Sequence, residues 1–189
     1  MRLTRSVDPD RLREYLSSRI DARLSYPEVG ASLGALPVGY RHDSYDVWLG
    51  ETDTAYRRAT QGLTEWRAHR AAGVQVYPPD ATLATGTTVA LALPLYGVHA
   101  LAACRVVAVI REASRFGFAY GTVAGHPERG EEAFLVERIG DAVRFRIAAF
   151  SKPADPLARL GSPVSRLVQR RVTLAYLDGL RAFVAANPG

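Results

Sequence analysis

Apolar positions along this chain follow two rhythms, and the switch between them falls near Gly73. Before it the spacing is helical. Asp8-Pro9 supplies an N-cap and a first helical residue, and Leu12, Tyr15, Leu16 and Ile20 then recur on one helix face. "SYPEVGASLGALPVGY" is broken by Pro and Gly and predicts irregular structure. "YRHDSYDVWLG" predicts a strand ending at Gly50. Tyr56, Leu63 and Trp66 return to helical spacing, with Gly62 as the expected division into two short helices.

After Gly73 the period becomes two, punctuated by turn signals. Six runs follow: "GVQVY", "TTVALALPLYG", "HALAACRVVAVIREA", "RFGFAYGTV", "EEAFLVERI" and "AVRFRIAAFS". Gly140-Asp141 predicts a two-residue hairpin turn. In the last run Val143, Phe145, Ile147 and Ala149 face a core while Arg144 and Arg146 face away, as in an antiparallel sheet. Pro94 places an edge or a bulge in its own run. Ser162 and Pro163 then cap a long helix. Val164, Val168, Val172, Tyr176, Leu180 and Phe183 form its apolar stripe, and Arg166, Arg170, Arg171 and Arg181 its solvated flank, until "NPG" ends it.

The pattern predicts an α+β protein. A curved antiparallel sheet of about six or seven strands wraps a long C-terminal helix across its concave face. A length of 189 residues suits one domain over 1–189, with an N-terminal helical arm at 1–24 and the final helix at 163–186. The apolar stretch "TTVALALPLYGVHALAAC" holds Pro94, Gly97 and His99, so it reads as two strands and a turn; no membrane insertion is expected. Arginines at the start lack an apolar run behind them, so no secretory signal is expected. Cys104 is the single cysteine, which excludes an internal disulfide and fits a reducing cytoplasm. The net charge of +5 comes from arginines spread among acids. Nucleic-acid binders concentrate charge on one face, so no nucleic-acid partner is expected.

This order of elements resembles the helix-grip fold of the birch-pollen allergens and the steroidogenic lipid-transfer domains. "YPEVGAS", "GYRH", "EWRAHRAAG", "GFAYGTVAGHPERGEEAF", "FSKPADPLARLG" and "LVQRRVTLAYL" resemble, more narrowly, the family known as domain of unknown function nineteen-ninety, over residues 24 to 181. The resemblance implies a cavity between sheet and helix and a small apolar or amphipathic ligand. It implies no cofactor.

Titratable side chains crowd the stretch "YGTVAGHPERGEEAF", residues 120 to 134. His126, Glu128, Glu131 and Glu132 read first as the polar loop of a hairpin, with Gly125, Pro127 and Gly130 at its turns. Their spacing matches no metal motif, and "His-Pro-Glu" lacks the Pro-Cys-x-x-Cys half of a zinc deaminase signature. The loop also suits the mouth of a cavity, where one acid orients a polar ligand group. Trp66 and His69 share a helix face; the Trp reads as core and the His as a satisfied buried group or a general base. Glu28, beside Tyr26, needs a partner if buried, and Arg41 or Arg70 is the expected one. Tyr120 alternates with Phe116 and Phe118, so its hydroxyl is a candidate ligand contact. Cys104 sits among apolar neighbours, where a thiol is inert. There is no Gly-x-Ser-x-Gly elbow and no phosphate-binding glycine loop.

Three functions compete on these residues. The first is a cytoplasmic protein binding a small hydrophobic or amphipathic molecule through Tyr26, Glu28, Arg41, Trp66, His69, Arg70, Tyr120, His126, Glu128 and Glu131. The second is an enzyme on the same scaffold, using a His/Glu acid–base pair for cyclisation, dehydration or hydrolysis. The third is an interaction protein whose cavity is filled by its own side chains.

Overall fold

The computed structural model describes residues 2–154 and 162–186. Chain order is β1 (Arg2–Thr4), α1 (Pro9–Ser17), a short 3-10 turn (Ala31–Leu33), β2 (Arg41–Gly50), α2 (Asp53–Thr64) and α3 (Arg67–Ala71). Then come β3 (Gln75–Tyr77), β4 (Thr88–Leu95), β5 (Val98–Arg111), β6 (Arg115–Thr122), β7 (Glu128–Ile139), β8 (Ala142–Pro153) and α4 (Ser162–Ala185). The strands form one antiparallel sheet in the order β2-β8-β7-β6-β5-β4-β3, and β1 pairs with β5. The expected strands are all present, and β1, too short to carry a period, is a strand that the pattern did not predict.

Local chemistry explains the boundaries. Asp8 accepts from the Arg11 amide, and Thr52 caps α2 by accepting from the Ala55 amide. Tyr96 and Gly97, both with positive φ, make the tight turn between β4 and β5. Gly140 does the same between β7 and β8. Pro94 lies past the end of β3, where β4 has no outer neighbour to receive an N–H. Register shifts at Trp48/Gly50 and Val106/Ala108 mark bulges in β2 and β5, which bend the sheet.

Two expectations need correction. The break between α2 and α3 falls at Trp66, whose φ of 56° is left-handed, and not at Gly62. Gly62 is instead a packing position: a side chain there would strike Leu180 and Phe183 of α4. The second concerns the polar hairpin. The β6–β7 connection is only residues 123–127, and Gly130 lies within β7, where a side chain would collide with the Phe150 carbonyl.

Both faces of the sheet are covered. On one, α1 sets Leu12, Tyr15 and Leu16 against Ala90, Ala92, Leu101 and Ala103. On the other, Phe118, Phe134, Phe145 and Ile147 pack beneath α2, α3 and α4, with Trp66, Leu63 and Leu180. Tyr176 and Leu180 are buried as the stripe predicts, while Arg166, Arg170, Arg171 and Arg181 are exposed. The expected contributions of Pro163 and Val164, the Ser162 side-chain cap and the stop at 187–189 lie outside what is described. A long helix gripped by the inner face of an antiparallel sheet is the helix-grip arrangement.

Candidate functional site

Residues on antiparallel strands face the same side when they are paired, so the register decides which side chains meet. Tyr120 pairs with Glu132, which pairs with Ala149, and Ala149 pairs with Asp43. These positions share the inner face with Phe118, Phe134 and Ile147. Together with the first half of α4, they enclose a pocket of about 170 Å³. Leu91 and Leu93 of β4 and Ala102 and Cys104 of β5 form its apolar wall, and Val168, Val172, Thr173 and Tyr176 of α4 form its roof. Arg41, Asp43, His126, Glu128 and Glu132 give it one polar side.

Three side chains are linked in the wall. Tyr120 Oη donates to Glu132 Oε2 at 3.0 Å, and His69 Nε2 lies 3.2 Å from the same hydroxyl. With the Tyr120 O–H donating to Glu132, its oxygen accepts from the Nε2–H tautomer of neutral His69. His69 is 1% exposed and packs among the rings of Trp66, Phe134 and Tyr176, with centroids 4.6–4.9 Å away. Burial lowers its pKa to about 3, so it is neutral at physiological pH. Desolvation raises the Tyr120 and Tyr176 hydroxyls well above their ordinary value.

Glu132 is the unusual acid. Desolvation raises its pKa to about 7; the Tyr120 hydrogen bond opposes this, and the charges of Asp43 and Glu128 add to it. A carboxyl that titrates there can hold or release a proton at neutral pH. Cys104 has its thiol pushed up by burial and by the Glu132 charge, so it stays an unreactive thiol.

Glu131, one residue earlier, serves the opposite face. It is 3% exposed and accepts from Tyr26 Oη at 2.6 Å, Gly30 N at 2.8 Å, Ser32 N at 3.0 Å and Ser32 Oγ at 2.5 Å. Those donors come from the irregular segment between α1 and β2, which Glu131 holds onto the sheet. Gly121 leaves room for the Tyr26 ring, because a side chain there would collide with its hydroxyl.

The remaining sequence candidates separate by position. Arg41 lines the pocket and binds Asp43 at 2.8 Å and Gln169 Oε1 at 2.6 Å. His126 and Glu128 also line it, and the Glu128 amide donates to His126 Nδ1 at 3.0 Å. Burial lowers His126 to a pKa of about 4. Trp66 is core and donates Nε1–H to the Ala81 carbonyl at 2.8 Å. Tyr26 belongs to the Glu131 anchor. Glu28 accepts from Tyr40 Oη at 2.6 Å, so its partner is neither expected arginine. Arg70 is exposed and donates to the Pro79 carbonyl, away from the pocket. Among the described residues no group of three or more His, Cys, Asp or Glu side chains is placed to hold a metal ion. No described helix is long and apolar enough to cross a membrane.

Comparison with known proteins places this geometry in context. A UPF0548 protein of Deinococcus radiodurans is 33% identical over 191 residues, spanning 93% of this chain and 95% of that protein. The hypothetical protein jhp0584 of Helicobacter pylori shares the fold with a TM-score of 0.56 at 17% identity, over 85% of this chain and 95% of its own. A Thalictrum norcoclaurine synthase point mutant, in complex with a transition state analogue, aligns with a TM-score of 0.52 at 11% identity, over 81% of this chain and 100% of its own. Identities this low show a shared fold alone. The family assignment rests on the sequence: residues 25–179 match the model for Domain of unknown function (DUF1990), and the chain belongs to that family.

Proposed function

We propose that this protein binds a compact amphipathic small molecule in the pocket between the sheet and the first half of α4. The observation that carries the reading is the pairing of an apolar wall with one polar side on which Glu132 is hydrogen-bonded to Tyr120, while His69 lies behind that tyrosine and does not line the pocket. A side-chain-filled interior would leave no reason to hold a half-buried carboxyl on the inner face with a tyrosine as its one described hydrogen-bond donor. At about 170 Å³ the pocket falls below the ~300–1,000 Å³ of drug-sized sites, so the ligand is small. The helix-grip neighbours support a binding role at the level of fold.

Native mass spectrometry of protein purified from its own host tests the proposal, with Ala149→Phe as the filled-pocket control. A co-purifying molecule carried by the natural chain and absent from A149F is the expected result. Equal recovery from both chains places the molecule elsewhere and overturns the reading.

One observation favours acid–base catalysis as a second reading: Glu132 holds its proton near neutral pH beside a tyrosine hydroxyl, at a surface a ligand would touch. On that reading Glu132→Gln abolishes chemical conversion of the recovered molecule even at saturating concentration. Unchanged conversion by E132Q removes Glu132 from any such role.

A further inference from the structure

The charges that face the pocket do not balance. Asp43 on β2 and Glu132 on β7 are acidic, and among the described lining residues Arg41 is the single cation turned to that side. Its guanidinium is held by Asp43 and Gln169. The other described groups facing Glu132 carry no positive charge: Tyr120 on β6, Cys104 on β5, and Tyr176 on α4. His126 in the β6–β7 turn and His69 on α3, behind Tyr120, are both held neutral by burial. An apolar chamber whose inner acid, Glu132, has no cation beside it among the described residues is complementary to a molecule that brings one.

We infer that the natural ligand is a compact organic amine, bound as its ammonium with the charged nitrogen against Glu132 and its hydrocarbon part along Leu91, Leu93 and Ala102. This deepens the binding role proposed above and rests on it. The exchange balances simply. Glu132 enters as the neutral acid, the ammonium retains its own protons, and the carboxyl proton passes to solvent as the ion pair forms. Binding therefore releases about half a proton at pH 7, where Glu132 is about half protonated, and affinity for an ammonium rises as Glu132 ionises. Tyr120 keeps its hydrogen bond to Oε2 in both states and stabilises the ionised one.

Three probes of one chain length separate the possibilities: n-hexylammonium, 1-hexanol and hexanoate, titrated calorimetrically into the full-length protein. The ammonium is expected to bind at least about tenfold more tightly than the alcohol at pH 8, with hexanoate weakest. The ammonium-to-alcohol ratio falls at pH 5.5, since an alkylammonium with a pKa of about 10 stays charged while Glu132 is protonated. In E132Q the ratio collapses towards one while hexanol binding persists. The same two-pH comparison on the unaltered chain needs no variant to fold. If hexanoate or hexanol matches the ammonium, or the ratio ignores pH, the amine assignment is wrong and the pocket reading survives. If none of the three binds, the pocket reading falls with it.

Discussion

Glu131 and Glu132 are joined by one peptide bond, yet their carboxyls lie on opposite sides of the sheet in opposite environments. Four donors satisfy Glu131. Glu132 has Tyr120 as its described donor and the repulsion of Asp43 and Glu128 besides. The first therefore behaves as a structural tie and the second as a proton-holding group, and the two can be told apart experimentally.

Replacing the tie is expected to be costly. Glu131→Ala leaves the Tyr26 hydroxyl and the Gly30 and Ser32 amides without their acceptor, a loss of about 3 kcal/mol or more in unfolding free energy. Urea denaturation measures it, and hydrogen exchange should show faster exchange concentrated at residues 26–34. A loss under 1 kcal/mol would mean that water replaces the carboxylate freely.

Glu132 predicts a loss of stability on the alkaline side. Its folded pKa of about 7 lies above the unfolded value of 4.5, so the native state binds more protons between those limits. Stability is then fully present below about pH 4.5 and declines as pH rises through 7, by about 3 kcal/mol. The difference in unfolding free energy between E132Q and the unaltered chain should grow in favour of E132Q from pH 5.5 to pH 8. A pH-independent difference contradicts the raised pKa.

His69 acts on the acidic side. Its folded pKa of about 3 lies below the ordinary 6.5, so the unfolded state binds the extra proton. Stability is present above 6.5 and is lost as pH falls towards 3, by about 5 kcal/mol, with His126 adding in the same direction. His69→Phe keeps the ring contacts and removes the titration, so its acid midpoint should lie at lower pH. A midpoint unmoved by the change would show that His69 charges without unfolding the core.

Gly179 tests the seating of α4 on α3. A side chain at this position collides with the Ala71 methyl, which cannot rotate away. Overpacking of about 1–3 kcal/mol should exceed the helix-propensity gain of about 1 kcal/mol, so Gly179→Ala is destabilising despite favouring the helix. A rise in melting temperature would show that the two helices separate at little cost.

Much of the architecture was legible because its faces differ chemically. Val143, Phe145, Ile147 and Ala149 alternate with arginines, so β8 declared its inner side, and the α4 stripe did the same over several turns. β7 offered no such contrast. Phe134 and Val136 lie on the inner face and Ala133 and Leu135 on the outer, and all four are buried because both sides of the sheet are covered. With period two erased, nothing in "GEEAFLV" says which glutamate points inward. The decisive signal was the pairing of Tyr120 with Glu132, which depends on the length of the β6–β7 turn. Reading Gly130 as a turn residue left that register open. The break at Trp66 was hidden for a similar reason: a left-handed tryptophan is set by tertiary packing, not by local propensity.

The two halves of α4 have different neighbours. Leu180 and Gly179 in the second half are locked against α2 and α3, while Val168 and Val172 in the first half border open space. Substitutions at Val168 and Val172 therefore change the volume of that space, leaving the contacts of Gly179 and Leu180 with α3 and α2 untouched. The open end of the helix and its anchored end can therefore vary independently of each other.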